Sequence, residues 1–327
     1  MILAAGFGSR LGTLGQQRPK PMLPVCGIPL VRWAVLWLRH HGIREIVVNL
    51  HHLGDRIAAE LGDGSALGVA ITYSREDGMI LGTGGGLRQA RPWLDDGHDT
   101  PIVVVNGKIL FDLDLGRVLA RHRRDAAEAT MVLRPDPEAE KWGSFRLDAQ
   151  GRIVEFLQAS PARGAAPPVS ERLMFTGVHV FQPRFLDRIP PEGEQCIVRT
   201  AYRSSFHEGQ GLFGFVSDDY WWEHSTPERY LRGVQQVLSG AAKLPFAPHG
   251  TTGIHPSATL APSAEIRPPV WIDAGVHVGA GARVGPHTQL GAGCRIADGI
   301  EVARSVVWED LEVGRNLDGE VYTGEAP

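Results

Sequence analysis

Near the amino end, Leu3-Ala-Ala-Gly-Phe-Gly-Ser-Arg10-Leu11 is followed by Arg18-Pro-Lys20-Pro-Met-Leu-Pro24. A glycine-rich turn directly after a strand lets backbone N–H groups face an anion at close range. Arg10, and Lys20 ten residues on, add fixed positive charge beside that turn. Phosphoryl chemistry asks for little more: positioned phosphates, and neutralised charge on their oxygens as they react. The competing reading is a surface turn with two solvated cations. A lone Gly-x-Gly would leave the two balanced, but the added Pro-Lys-Pro favours the phosphate loop.

Those residues need a scaffold, and the first 240 residues supply an alternating one. Ile2 to Ala5 is a short apolar strand. Leu30 to His40 carries apolar residues at helical spacing, Glu45 to Leu50 is a β-branched strand, and Asp55 to Leu61 reads as a helix. Ile71 to Tyr73 and Ile102 to Val105 read as strands, Leu113 to Arg121 as a helix, and Thr130 to Leu133 as a strand. Phe145 to Leu147 and Ile153 to Phe156 flank a Gly turn as a hairpin, and Pro161 to Ser170 reads as an exposed loop. Leu173 to Phe181 is a strand, and Pro227 to Leu238 is a helix with Thr226 as its N-cap. This alternation specifies an α/β fold with a Rossmann-like, doubly wound, mostly parallel sheet.

The texture changes near residue 245. Ile254, Leu260, Ile266, Ile272, Val278, Val284, Leu290, Ile296 and Val302 are nine aliphatics, each six residues from the last, with Gly and Ala between them. One inward aliphatic per hexapeptide is the signature of a parallel β-helix. The stretch is read as a short β-helix of between two and three coils, giving domains at 1–240 and 250–327. A short stack leaves an open end, so a homo-oligomer is expected. His255, His277 and His287 fall between inward positions and are expected on the surface. Acyl transfer by these repeats is the weakest functional reading, since no catalytic His stands out among them.

Composition sets the limits. Lys plus Arg is 33 and Asp plus Glu is 37, a net charge of −4. That balance argues against a nucleic-acid or anionic-membrane partner. Cys26, Cys196 and Cys294 are too far apart for a disulfide or metal framework. No signal peptide or long apolar stretch is visible, and a cytoplasmic location is expected. Only two residues precede Leu3, so the first strand is short or the natural start lies upstream.

These motifs resemble those of the sugar-1-phosphate nucleotidylyltransferases, with mannose-1-phosphate guanylyltransferase-like members foremost. The opening loop with Pro-Lys-Pro carries the resemblance. So do Leu81-Gly-Thr-Gly-Gly-Gly-Leu87, Val104-Val-Asn-Gly107, Phe175-Thr-Gly-Val178 and Tyr220-Trp-Trp-Glu-His-Ser-Thr-Pro-Glu228. The resemblance implies the nucleotide-diphospho-sugar transferase type of sheet and a left-handed β-helix. It implies attack by a sugar 1-phosphate oxygen on the α-phosphorus of a nucleoside triphosphate, with pyrophosphate leaving. Arg10 and Lys20 would be the catalytic cations. Leu3, Ala4, Ala5, Gly6, Gly8 and Ser9 would bind the nucleotide, Gly82 and Thr83 would lie near the base, and Gly143, Thr176 and Gly177 on the sugar side. Trp221 and Trp222 are expected to pack beside the site.

The resemblance also implies Mg²⁺, and here the sequence departs from the family. The Asp expected after Asn-Gly is Lys108, the second metal Asp is Glu223, and a sugar-binding Glu-Lys pair falls at Gln158-Ala159. Asp to Lys changes the site charge by two units. A unit charge pair ~4 Å apart is worth roughly 4 kcal/mol at an effective dielectric of about 20, so Mg²⁺ is not expected in its usual place. Lys108 then has four readings. The chain is a non-catalytic or regulatory nucleotide-sugar-binding relative; or the ammonium takes the metal's place, paired with Glu223 and contacting phosphate; or Asp112 or Asp114 supplies a relocated metal site; or Lys108 points to solvent.

Overall fold

The computed structural model describes residues 1–324, except 138, 158, 160–165 and 210. Gln158 and the first half, residues 161–165, of the expected loop at Pro161 to Ser170 lie outside the described residues. The chain divides into two compact units, one made of residues 1–6, 37–107 and 113–221, the other of residues 7–36, 108–112 and 222–327.

The first unit is built on a nine-stranded sheet. Ile2–Leu3 lies in its middle, parallel to Glu45–Leu50 on one side and Ile102–Asn106 on the other. Ala70–Arg75 extends the parallel half. The long strand Leu173–Phe181 runs antiparallel to Ile102–Asn106, Ala129–Pro135 and Ser144–Leu147, and Leu212–Val216 adds a parallel edge. Ile153–Phe156 forms the expected hairpin with Ser144–Leu147. The β-branched runs make these strands because both faces are covered: Val104, Met131, Leu133 and Phe181 are all buried in one core. Helices Gly54–Leu61, Gly82–Leu94 and Leu115–Arg124 fall between strands, as the alternation requires. At the end of helix Leu115–Arg124, among three arginines, His122 is buried, and its Nδ1 lies 2.9 Å from the Thr130 hydroxyl. Burial lowers its pKa to about 4, so it stays neutral.

The second unit carries the coil stack. Each aliphatic of the six-residue ladder sits on a two- or three-residue strand, and coils repeat every 18 residues: Gly253 opposite Trp271, Trp271 opposite Gln289. From Ile272 to Val302 the ladder is buried, while Ile254 is 44% exposed at the open end of the stack. The stack is longer than the two to three coils read from the sequence. Thirteen short strands from Gly253–Ile254 to Val321–Tyr322 make three parallel sheets of five, four and four strands. After Val302 the inward residues are Val307, Val313, Leu317 and Tyr322, stacked on Leu290, Ile296, Val302 and Val307. Their spacing no longer holds at six, so a strict six-residue ladder stops counting them. His255 and His277 are exposed and His287 half-exposed, as expected.

In the same unit the stack holds the segment that carries the amino-terminal cations. The buried Gln289 side chain accepts from the Cys26 amide at 2.7 Å and donates to the Pro24 carbonyl at 3.1 Å. Tyr230, on helix Pro227–Leu238, donates to the same carbonyl at 2.7 Å. Arg18 pairs with Glu309 and lies over the Trp308 ring. Among the described residues no helix is long and apolar enough to cross a membrane, and Cys26, Cys196 and Cys294 are free thiols.

Candidate active site

The second unit gathers four charged side chains from three separate stretches of chain. Gly8 adopts a left-handed φ of 70° and turns the loop into a short 3-10 turn, Ser9–Leu11, which carries Arg10. A side chain is strained in that conformation, which is why the turn uses glycine. Pro19 and Pro21 flank Lys20 at the start of a second 3-10 turn, Lys20–Met22. Fixed φ at both prolines leaves the chain little freedom there, and it presents a buried lysine. Lys108 enters strand Ile109–Phe111, which pairs with Trp221–Glu223 in a two-stranded sheet. That pairing brings residues 108 and 223 together.

The Glu223 strand end is clamped. Thr226 accepts from the Arg229 amide at 3.2 Å, the expected N-cap. Arg229 Nε donates to the Glu223 carbonyl at 2.9 Å, its guanidinium lies 4.2 Å over the Trp222 ring, and Trp222 Nε1 returns a bond to the Arg229 carbonyl at 2.7 Å. His224 is fully buried and neutral, its pKa lowered to about 3 by desolvation first and then by Arg229.

Lys108 Nζ sits 2.5 Å from Glu223 Oε1, and Arg10 Nη2 lies 3.7 Å from the same oxygen. Burial alone would raise the Glu223 pKa, but Lys108, Arg10 and Lys20 outweigh it and hold the carboxyl below its usual range. Lys20 moves the other way. Desolvation first, then repulsion from Lys108 and Arg10 against the pull of Glu223, lowers its pKa to about 8. Three cations thus surround one carboxylate, an arrangement short of negative charge and suited to an anion that brings several.

The same geometry decides the metal question. Mg²⁺ takes oxygen ligands at about 2.0–2.1 Å in octahedral array. Here the Lys108 ammonium is bonded to Oε1 of Glu223, the carboxylate a cation would need. A dication about 4 Å from that ammonium would be repelled by about 8 kcal/mol at an effective dielectric of about 20. The relocated site does not form either. Asp112 accepts from the Lys243 amide at 2.8 Å, and Asp114 caps helix Leu115–Arg124 by accepting from the Gly116 amide at 2.9 Å. Among the described residues no three His, Cys, Asp or Glu are grouped to hold a metal ion. The residues present do not fit the Mg²⁺ that the resemblance implies, and Lys108 is paired with Glu223 rather than pointing to solvent.

The first unit holds the remaining candidates. Leu3 pairs with Asn49 and Asn106 across the parallel strands, Ala4 and Ala5 are buried, and Gly6 is exposed at the strand end. Gly82, at φ 70°, opens helix Gly82–Leu94 with its Cα against the Gln195 carbonyl, where a Cβ would come within 2.7 Å. The Thr83 hydroxyl accepts from the Ile197 amide at 3.0 Å and so secures this loop. Thr176 and Gly177 lie where strand Leu173–Phe181 slips register against Ala129–Pro135. Thr176 donates its hydroxyl to the Val132 carbonyl at 2.8 Å and accepts from Trp221 Nε1 at 2.9 Å, so its side chain and carbonyl are both engaged. Gly143 leads into Ser144–Leu147, the strand beside Leu173–Met174.

Sequence reasoning missed two connectors. In the first unit the buried pair Asn49 and Glu76 links Ala4, after the first strand, to Leu81, before helix Gly82–Leu94. Ala4 N donates to Asn49 Oδ1 at 2.7 Å, Asn49 Nδ2 to Glu76 Oε1 at 2.7 Å, and Leu81 N to Glu76 Oε2 at 2.7 Å. Asn49, a polar residue set among the buried aliphatics that follow Glu45 in EIVVNL, was the available signal. In the second unit the connector is Gln289, a buried amide amid aliphatic coils.

The Nucleotidyl transferase family model matches residues 1–240, and the bacterial transferase hexapeptide model matches residues 263–298. The chain belongs to the nucleotidyl transferase family. It is 32% identical to the mannose-1-phosphate guanylyltransferase of Mycobacterium tuberculosis over 75% of this chain and 66% of that protein, just under two thirds of its length. It is 37% identical to the N-acetylmuramate alpha-1-phosphate uridylyltransferase of Neisseria meningitidis over 58% of this chain and 77% of that protein. A solved structure described as a putative glucose-1-phosphate thymidylyltransferase from Bacillus anthracis matches 71% of this chain and 92% of its own, with a TM-score of 0.59 at 22% identity, a likeness of fold. These relatives carry the names of enzymes, and nothing among them supports the reading of a non-catalytic or regulatory chain.

Proposed function

We infer that this chain transfers a nucleotidyl group from a nucleoside triphosphate to a sugar 1-phosphate and releases pyrophosphate. The carrying observation is the convergence of Arg10, Lys20 and Lys108 on Glu223 within a chain of this family. In-line displacement at phosphorus is catalysed chiefly by positioning and charge neutralisation, and the cluster offers both. Arg10 holds the leaving pyrophosphate, and Lys20, dry and close to its own pKa, neutralises the phosphates as they react. The backbone of Leu3, Ala4, Ala5, Gly6, Gly8 and Ser9 contacts the nucleotide. Gly82 and Thr83 serve the base, and Gly143, Thr176 and Gly177 the sugar. Guanylyl transfer to mannose 1-phosphate is the first reading, on the strength of the mycobacterial relative, with uridylyl or thymidylyl transfer to glucose 1-phosphate next. We also assign residues 1–240 to catalysis and 250–327 to assembly of a homo-oligomer; exposed Ile254 at the open end of the stack supports the latter.

The test is pyrophosphate release from GTP, UTP and dTTP, each paired with mannose 1-phosphate and glucose 1-phosphate. One pair turning over is the expected result. Silence across the panel, from a folded protein, rejects the reading.

A further inference from the structure

Resting on that reading, we propose that Lys108 supplies the positive charge that a divalent cation would otherwise supply, so that triphosphate binding and nucleotidyl transfer proceed without a metal ion. Three observations converge on it. First, the Lys108 ammonium is already seated on Glu223, in direct contact with the carboxylate that would have to ligate an ion. Second, the neighbouring acids that could have rescued a metal site, Asp112 and Asp114, are bound to backbone amides.

The third is the charge balance. Arg10, Lys20 and Lys108 carry three positive charges and Glu223 one negative, a surplus of two. An aspartate at position 108 would bring the four side chains to neutrality, and a bound dication would then restore a surplus of two. The lysine therefore reaches unaided the total that an acidic site reaches with its metal. It does so with a group that is compact, strongly charged and able to donate to phosphate oxygens. Nothing in the bond changes requires more. The sugar phosphate oxygen forms its bond to the α-phosphorus, the bond from that phosphorus to the bridging oxygen breaks, and the electron pair leaves on pyrophosphate, where Arg10 and Lys20 meet it.

The experiment compares the full-length protein after exhaustive dialysis against EDTA with the same protein in Mg²⁺. Turnover is read by pyrophosphate release and binding by calorimetric titration of GTP, UTP and dTTP. The expected result is that EDTA changes turnover and affinity by less than about tenfold, while Lys108→Met lowers both by about 100-fold or more in either buffer. Lys108→Asp is expected to be nearly inactive in EDTA and to recover on addition of Mg²⁺. If the wild-type protein loses more than about tenfold in EDTA and regains it with Mg²⁺, the proposal falls while the transferase reading stands. If no pair turns over in either buffer the transferase reading falls, and the titrations then decide Lys108 alone: affinity equal in both buffers and weakened in Lys108→Met supports its charge role, and EDTA-sensitive or absent binding overturns it.

Discussion

The coil stack and the cation cluster share one compact unit yet are held together on opposite principles. In the stack, Ile272, Val278, Val284, Leu290, Ile296 and Val302 repeat one interaction, each aliphatic resting on those one coil away. In the cluster nothing repeats along the chain: Arg10 comes from one turn, Lys20 from another, Lys108 and Glu223 from a strand pair brought together over 115 residues of sequence separation. Repetition spreads stability over many small contributions. A charge constellation concentrates function in a few atoms. Gln289 belongs to both, a coil residue whose amide secures the chain just beyond Lys20.

This contrast breaks if the two regions respond alike to substitution. The largest effect is expected at Lys20. Lys20→Met removes a dry ammonium from the reacting phosphates and should lower kcat by about 100- to 1,000-fold, measured by steady-state pyrophosphate release, with an unchanged circular dichroism spectrum. Gln289→Leu should affect both stability and turnover. It strips the partner from the buried Cys26 N–H and one donor from the Pro24 carbonyl, costing about 2 kcal/mol in chemical denaturation, and it lowers kcat because the Lys20 turn loses a support. Val278→Ala should cost about 2 kcal/mol of stability through lost burial and a small cavity, while leaving turnover unchanged. A loss of turnover in Val278→Ala equal to that in Gln289→Leu would erase the distinction between stack and connector.

A subtler consequence follows from the Lys20 pKa of about 8. On the proposed function the ammonium is the form that binds phosphate, and it is lost as pH rises through that value. The pH profile of kcat/KM should therefore fall above pH 8, approaching one decade per pH unit, since that parameter reports the free enzyme. Lys20→Arg should keep its charge and flatten that limb. A wild-type profile level to pH 10 would remove Lys20 from the binding step.

The regular parts of the molecule were legible because they rest on local rules. The six-residue ladder, the Thr226 cap and strand Leu173–Phe181 stand where spacing and residue type put them. What escaped depends on tertiary contacts or broken periods. The coils after Val302 were lost when the spacing shortened. His122 stands beside three arginines in sequence, and only the fold turns it inward to Thr130. Asn49, Glu76 and Gln289 gave no motif, because a buried hydrogen-bond connector is defined by its partners rather than by its neighbours in sequence. Lys108 shows the middle case. Its position was legible from Asn-Gly before it, and its charge from its identity, but the 2.5 Å contact with Glu223 required the strand pair.

The central claim is that the cations around Glu223 form the seat of a polyphosphate. Calorimetric titration of the preferred triphosphate into the wild-type protein and into the Arg10→Gln, Lys20→Met double variant tests it most directly. The account predicts affinity weakened by about 100-fold or more in the variant, the loss of two charge-assisted contacts. Equal affinity in the two proteins, both folded, would contradict it.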